Sequence, residues 1–333
     1  MVRMQDVATA AGVSVKTVSR VHTNGPHVAP ETRVRVEAAI ERLGYLPNTL
    51  ATTFRDGRSP VIGVVVPDIE DPFFAAIVRQ VDRTAARHGM LTIVAGTGED
   101  PQEEQSRVTA LLGRRLSGLV LAPVSDDQSY LQPWLASTPT VFVDRRPSRV
   151  SADSFTSDDE GAAHEGATHL IGHGHTAVAF LGDTLELPTT ALRLAGYRRA
   201  LSDASLAWRP ELVAMDGATR AGAAAAVTRL LSLPDPPTAL LSSNARCTIA
   251  LAPLLPGLRM AMVSFGEFPL SDALTPTVSV LDQNPSRLGE LATVRVLDRL
   301  EHPGRRFRRR QSLPATLIER ESCRLPAPPG VQG

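Results

Sequence analysis

From Val61 onward the chain repeats one pattern, a short apolar run and then a helical stretch, and that repetition restricts the fold more than any other feature. Val61-Ile-Gly-Val-Val-Val66 is continuous, apolar and β-branched, the character of a strand buried on both faces. A helical stretch over 73–88 follows, then a strand over 91–95, a helix over 103–115 and a strand over 118–122. The alternation continues with a strand at 140–143, a helix at 160–171, a strand at 177–181 and helices at 192–204 and 221–231; strands at 239–241 and 260–264 close it. Strand–helix–strand units at this spacing build parallel sheets with helices on their faces. There are more of them than one sheet holds comfortably, which predicts two similar lobes.

The first 58 residues have a different texture. In 5–11 the apolar Val7, Ala8 and Ala11 fall on one helical face. Gly12-Val13 makes a turn, and Ser14 is placed to cap a second helix by accepting the Thr17 N–H, with Val18 and Val21 facing inward. Helix, Gly-containing turn and helix at this spacing describe a helix-turn-helix. After the turn-rich His22-Thr-Asn-Gly-Pro-His27, Pro30 opens a third helix whose apolar residues are Val34, Val36, Ile40 and Leu43 and whose stop is Gly44. Ala29 stands where a capping Ser is expected. The stretch from Tyr45 to Ser59 has no core of its own and reads as a hinge, with one or two helical turns after Pro47 capped by Asn48.

The formal net charge of zero hides an asymmetry. The first 58 residues hold eight basic and five acidic side chains, and the remainder offsets that excess. A small basic module on a slightly acidic body suits local phosphate contact and argues against indiscriminate coating of nucleic acid. Lys16 is the only lysine. Cys247 and Cys323 make no disulfide framework and have no metal-ligand spacing, so two ordinary thiols in a reducing cytoplasm are expected. No signal peptide opens the chain and no apolar run is long enough to span a bilayer, which points to a cytosolic protein without a membrane partner.

Met4-Gln-Asp-Val-Ala-Thr-Ala-Ala-Gly-Val-Ser-Val-Lys-Thr-Val-Ser-Arg-Val21 resembles the helix-turn-helix of the lactose/galactose repressor (LacI/GalR) family. So do Ala29-Pro-Glu-Thr-Arg33, Leu43-Gly-Tyr-Leu-Pro-Asn48, Ile62-Gly-Val-Val-Val-Pro-Asp68, Asp71-Pro-Phe-Phe74, Leu192-Arg-Leu-Ala-Gly-Tyr197 and Leu274-Thr-Pro-Thr-Val278. The matches run in order along nearly the whole chain. The fold class this implies is α/β: an N-terminal all-α helix-turn-helix domain plus hinge, then a periplasmic-binding-protein-like (type I) sensor of two doubly wound parallel-sheet lobes with three crossings. The domains expected are a helix-turn-helix at 1–46, a hinge at 47–59, a sensor at 60–325 and a disordered tail at 326–333. Within the sensor, one lobe takes about 60–154 and 283–316 and the other about 155–281 and 317–325. The implied function is a transcriptional regulator, a repressor that binds a pseudo-palindromic double-stranded operator as a homodimer under control of a small sugar-like effector.

The resemblance carries residues across one by one. Val15, Lys16 and Arg20 meet base edges; Arg and Lys donate to guanine O6/N7, and a Val methyl suits the thymine methyl. Ser14, Thr17, Ser19, His27, Thr32 and Asn48 are placed for phosphates, which fixes register without reading sequence. Ala51 and Phe54 belong to the hinge, and Phe54 stands where the family has a minor-groove-wedging leucine. His22 and Thr23 replace the usual apolar residue and Asn.

For the effector the matching positions are Phe73, Phe74, Asp144, Arg193, Asn244 and Gln283, at the carboxyl ends of strands where such a fold holds its ligand. Aromatics stack on an apolar sugar face while the polar groups bond hydroxyls. Arg193 sits among apolar neighbours, so a ligand or a carboxylate is expected as its partner. Ser264-Phe-Gly-Glu267 replaces the usual Gly-Tyr/Phe-Asp-Asp, and Ala245 replaces an Asp, so two familiar carboxylates are missing and an atypical effector is expected.

Other function classes find little support. An enzyme or a solute-binding protein on the same α/β fold is the alternative, but a solute-binding protein has no use for residues 1–58. His164-Glu165 with His169 comes near a zinc-protease pattern, yet its HExxxH spacing puts the two His on different helix faces, so no metal, no cofactor and no catalytic residue is expected. His173 and His175 fall in a turn before a strand, and Gly96-Thr-Gly98 lacks the dinucleotide-binding spacing. The run Arg305-Arg-Phe-Arg-Arg-Arg310 reads as a solvated loop.

Overall fold

Local sequence signals set the helices of the first unit. The computed structural model describes residues 2–22, 25–45 and 59–324, and the chain divides into two units, Met1–Ser59 and Pro60–Gly333. In the first, α1 (Met4–Ala11), α2 (Val15–His22) and α3 (Pro30–Leu43) close over Val7, Ala8, Ala11, Val18, Val21, Val36, Ala39 and Tyr45. Ser14 Oγ accepts the Thr17 N–H at 3.1 Å, the cap its position calls for. Ala29 gives α3 no side-chain cap, and Gly44 ends that helix with a φ of 59°. Arg33 Nη1 donates to the Val21 carbonyl at 3.3 Å, satisfying an orphan acceptor at the end of α2. Of the apolar residues of α3, Val34 is 64% exposed, and Ala39 takes an inward place because the helical period from Val36 returns at 39–40 and 43. The hinge positions Asn48, Ala51 and Phe54, with Thr23 and the tail from 325, lie outside the described residues.

The second unit is built of two six-stranded sheets. The first has the order β11-β5-β4-β3-β1-β2, where β1 is Ser59–Val66, β2 Leu91–Gly96, β3 Leu116–Leu121, β4 Thr140–Val143, β5 Asp153–Ser157 and β11 Arg310–Leu313. The second has the order β12-β10-β9-β8-β6-β7, with β6 Val178–Leu181, β7 Val213–Ala214, β8 Ala239–Ser242, β9 Ala261–Phe265, β10 Ser279–Asp282 and β12 Thr316–Ile318. The helices are α4 (Pro72–Arg87), α5 (Pro101–Leu112), α6 (Asp159–Gly172), α7 (Pro188–Asp203), α8 (Arg220–Leu231), α9 (Ala245–Leu251) and α10 (Pro285–Glu301). Ladders are parallel, β1 with β2 from Val61↔Leu91 and β8 with β9 from Ala239↔Ala261, while β12 runs antiparallel to β10. Each sheet is covered on both faces by apolar clusters, which is why its strands read as continuous apolar runs.

The chain crosses between sheets three times, after β5, after β10 and between β11 and β12. The Asp158 N–H donates to the Leu313 carbonyl at 2.8 Å, and Gln283 Nε2 donates to Ser157 Oγ at 3.2 Å, so the crossings hold one another. β5 runs to Ser157, three residues past the boundary expected at 154, and Thr316 belongs to the second sheet rather than the first. β5 escapes sequence reading because Asp-Ser-Phe-Thr-Ser is polar. Its buried Asp153 is held by Arg295 Nη1 at 3.0 Å and Arg299 Nε at 2.8 Å, both from α10.

Gly196 is the close-approach point between α6 and α7. A Cβ there would lie 2.1 Å from the Glu160 carbonyl oxygen and 2.9 Å from the His164 amide, both backbone atoms that cannot swing aside. Gly196→Ala therefore lowers the stability of the full chain by about 1–3 kcal/mol. The check is the urea midpoint, and an unchanged midpoint would mean the helices slide apart freely.

Candidate functional site

Two surfaces carry the chemistry, one in each unit. In the first unit Val15, Lys16 and Arg20 lie exposed on α2, while Val18 and Val21 on the same helix are buried. Ser14 is exposed, its hydroxyl shared with Thr17 Oγ1 at 2.9 Å, and Thr17, Ser19 and Thr32 are half-buried. His27 is exposed with a left-handed φ of 65°. The described positions expected from sequence to face DNA thus form a cationic stripe on one helix edged by short hydroxyl donors, a pattern suited to a groove lined by phosphate.

In the second unit a cleft of about 480 Å³, counted to its open mouth, separates the two lobes. All six residues singled out from sequence for the effector line it: Phe73, Phe74, Asp144, Arg193, Asn244 and Gln283. Asp71 caps α4 by accepting the Phe73 N–H at 2.8 Å, and Pro72 occupies the first turn, so the chain is forced to present Phe73 and Phe74 at the cleft wall, edge to face at 5.3 Å. Asn244 caps α9, accepting the Cys247 N–H at 2.9 Å and donating to Asp183 at 2.8 Å. Gln283 sits on a crossing, buried.

Arg193 finds the carboxylate its apolar surroundings require. Its Nε and Nη2 reach Asp159 Oδ1 at 2.8 and 2.7 Å, Nη1 donates to the Ser243 carbonyl at 2.6 Å, and its guanidinium lies 3.9 Å from the Phe265 ring centre. Asp144, just past β4, is buried with Arg145 Nε at 3.4 Å. Burial pushes its carboxyl up to about 6, Arg145 pulls it back and Asp159 adds to the rise.

Sequence reasoning missed Arg246, Asp183, Asp71, Glu99, Arg145 and Phe265, which also line the cleft. Arg246 matters most: from α9 in the second lobe it lies 3.7 Å from Asp71 and 4.0 Å from Asp68 of the first, and 3.4 Å from Asp183 of its own. It is the ion-pair bridge across the cleft. Burial raises Asp183, but the bonds from Thr190 and Thr184 and the Arg246 charge outweigh it and hold the carboxyl below its usual value. Asp183 could have been found as a polar residue at the carboxyl end of a strand; Arg246 left no comparable signal. The cleft is not poor in carboxylates despite Ala245 and Gly266: Asp71, Glu99, Asp144 and Asp183 supply them from other elements. Gly266 takes a φ of 88°, a backbone setting that disfavours any side chain there, and Glu267 turns away to Arg320 at 2.6 Å.

Residues 3–48 match the family described as "Bacterial regulatory proteins, lacI family", and residues 59–260 match "Periplasmic binding proteins and sugar binding domain of LacI family". The chain belongs to the LacI family. Among relatives of this LacI-family protein, the transcriptional repressor CytR of Escherichia coli K12 is 29% identical over 308 residues, 90% of this chain and 89% of its own. Catabolite control protein A of Priestia megaterium is 32% identical over 241 residues, 72% of this chain and 73% of its own. Among solved structures, the Lac repressor bound to ONPG in its repressed state matches with a TM-score of 0.84 at 26% identity, covering 96% of this chain and 99% of that one. The protein is a DNA-binding transcriptional repressor with a helix-turn-helix head and a sugar-binding-type sensor. Among the described residues no helix is long and apolar enough to cross a membrane.

Proposed function

We propose that this LacI-family repressor acts in the cytoplasm as a homodimer on a pseudo-palindromic operator and changes its hold on DNA when a small hydroxyl-bearing metabolite, a sugar or a relative of one, enters the interlobe cleft. The observation that carries this reading is the cleft wall: an aromatic pair on one lobe, polar groups on both, and Arg246 spanning the gap. Val15, Lys16 and Arg20 read bases, Ser14, Thr17, Ser19, His27, Thr32 and Asn48 hold phosphates, and Ala51 and Phe54 act from the hinge. Phe73 and Phe74 stack on the effector; Asp144, Arg193, Asn244 and Gln283 bond it. A ligand that bonds both lobes favours their closed arrangement by its differential affinity alone, and that shift respaces the two heads. Dimerisation is supported by the edge strand β2, which exposes Leu91, Ile93 and Val94 at 70, 38 and 41%, an apolar edge that isolated proteins ordinarily cover.

The test is a fluorescence-anisotropy titration on the upstream region of the protein's own gene, beside a chain lacking residues 1–58. Salt-sensitive binding that needs those residues and exceeds scrambled DNA by about a thousandfold supports the reading. Equal weak binding to both DNAs overturns operator recognition there.

Effector binding is also pH-linked. With Asp144 near 6, a hydroxyl that donates to its ionised form releases a proton on binding, so affinity rises with pH between about 5 and 7 and levels above. Calorimetry in two buffers of different ionisation heat, near pH 6, reads that proton; Asp144→Asn removes it. An affinity flat across this window would place the ligand away from Asp144.

A further inference from the structure

Away from the cleft, four side chains from two distant stretches of sequence meet in the second lobe. His169 lies in the last turn of α6 and His173 just beyond its end; Glu319 follows β12, and Cys323 lies in the short 3-10 turn Glu321–Cys323. One ligand atom from each falls within 4.8 Å of all the others. We propose that His169, His173, Glu319 and Cys323 form a binding site for a divalent transition-metal ion of the zinc class.

The donor set suits such an ion. Two imidazoles, a thiolate and a carboxylate are the ligand types zinc takes in four-coordinate sites. The ligand atoms of a tetrahedral site are roughly 3.3–3.8 Å apart, given bonds of about 2.0–2.3 Å. Closing a cluster already within 4.8 Å to that size takes side-chain adjustments of about 1 Å. Thiolate and carboxylate together neutralise the ion, so no net charge is left in a partly buried place.

The cluster also holds an unmet need. His169 Nε2 is buried without a hydrogen-bond partner, and a Glu319 carboxylate oxygen is 4.0 Å away. Leaving a buried polar atom unpaired costs about 1–3 kcal/mol, and a metal bond removes that cost. The His169 and His173 rings stand edge to face, 4.6 Å between centres, so both can turn a nitrogen to one point. Cys323 is fully buried, and its Sγ donates to the Arg320 carbonyl at 3.3 Å; metal binding sends that proton to solvent.

Position gives the site a consequence. It ties α6, whose first residue Asp159 holds Arg193 in the cleft, to the segment that follows the third crossing. An ion there fastens two separately arriving parts of the second lobe. Sequence spacing conceals it because the other two ligands, Glu319 and Cys323, lie about 150 residues beyond the His169/His173 pair.

The test uses chelator-stripped full-length protein titrated with Zn²⁺ and, as a spectroscopic probe, Co²⁺. One equivalent binds, Co²⁺ gives a thiolate charge-transfer band, and Zn²⁺ raises the thermal midpoint. Cys323→Ser abolishes the band while Cys247→Ala keeps it. His173→Gln, a half-buried position outside the apolar clusters, stays folded and weakens zinc binding at least about tenfold. Three results overturn the proposal: well under one equivalent bound, a band that survives Cys323→Ser, or His173→Gln binding zinc as well as the parent protein.

Discussion

Arg193→Met costs the second unit about 3–5 kcal/mol of folding stability, because it leaves Asp159 as an uncompensated carboxylate in the interior. Asp159 is 3% exposed and its two short contacts with the guanidinium run from one oxygen, while the Ser243 carbonyl loses its donor at the same time. Burial pushes Asp159 up and Arg193 opposes it, so without the arginine the carboxyl protonates more readily and the loss is smaller at acid pH than at neutral pH. The double replacement Arg193→Met with Asp159→Asn removes the stranded charge and recovers much of the loss. Urea denaturation of the full chain at pH 7 separates the cases. A single mutant that loses less than about 1 kcal/mol would show that the pair is dispensable and that Arg193 is kept for ligand alone.

Lys16→Ala with Arg20→Ala weakens specific operator binding by about a hundredfold or more, since each good base contact is worth about 1–3 kcal/mol. The two residues are four apart on α2, hence on one face, and both are exposed while the opposite face is packed by Val18 and Val21. Truncating them leaves the core of the head intact, and the thermal midpoint moves little. Binding to scrambled DNA falls only a few fold, because it rests on phosphate contacts that are mostly retained. Parallel anisotropy titrations at one salt concentration read both numbers. If specific and scrambled binding fall together, the pair touches phosphates and another surface reads the bases.

Much of the cleft was legible before any coordinates. The family resemblance carried Phe73, Phe74, Asp144 and Asn244 across as positions after strands, and the structure places each of them on the cleft wall. Arg246 was not legible. Its partners Asp68, Asp71 and Asp183 come from two lobes, and nothing along one helix says which carboxylates will face it. The same holds for β5, whose polar residues become a buried strand only because α10 brings Arg295 and Arg299 to Asp153.

By itself, then, the sequence determined what depends on short range: the Ser14 cap, the stop at Gly44, the apolar strand runs and therefore the α/β class and the head. Periodicity and capping are properties of neighbours in the chain, and they survive being read without a fold. Only the tertiary structure decided the Arg246 bridge, the pairing of Arg193 with Asp159, the outward turn of Val34 and the meeting of two His with Glu319 and Cys323. Each of these depends on which distant segment arrives, or on which face of an element is already taken. Charge–charge and ligand geometries fall away over a few ångströms, so they exist only once the chain has closed on itself.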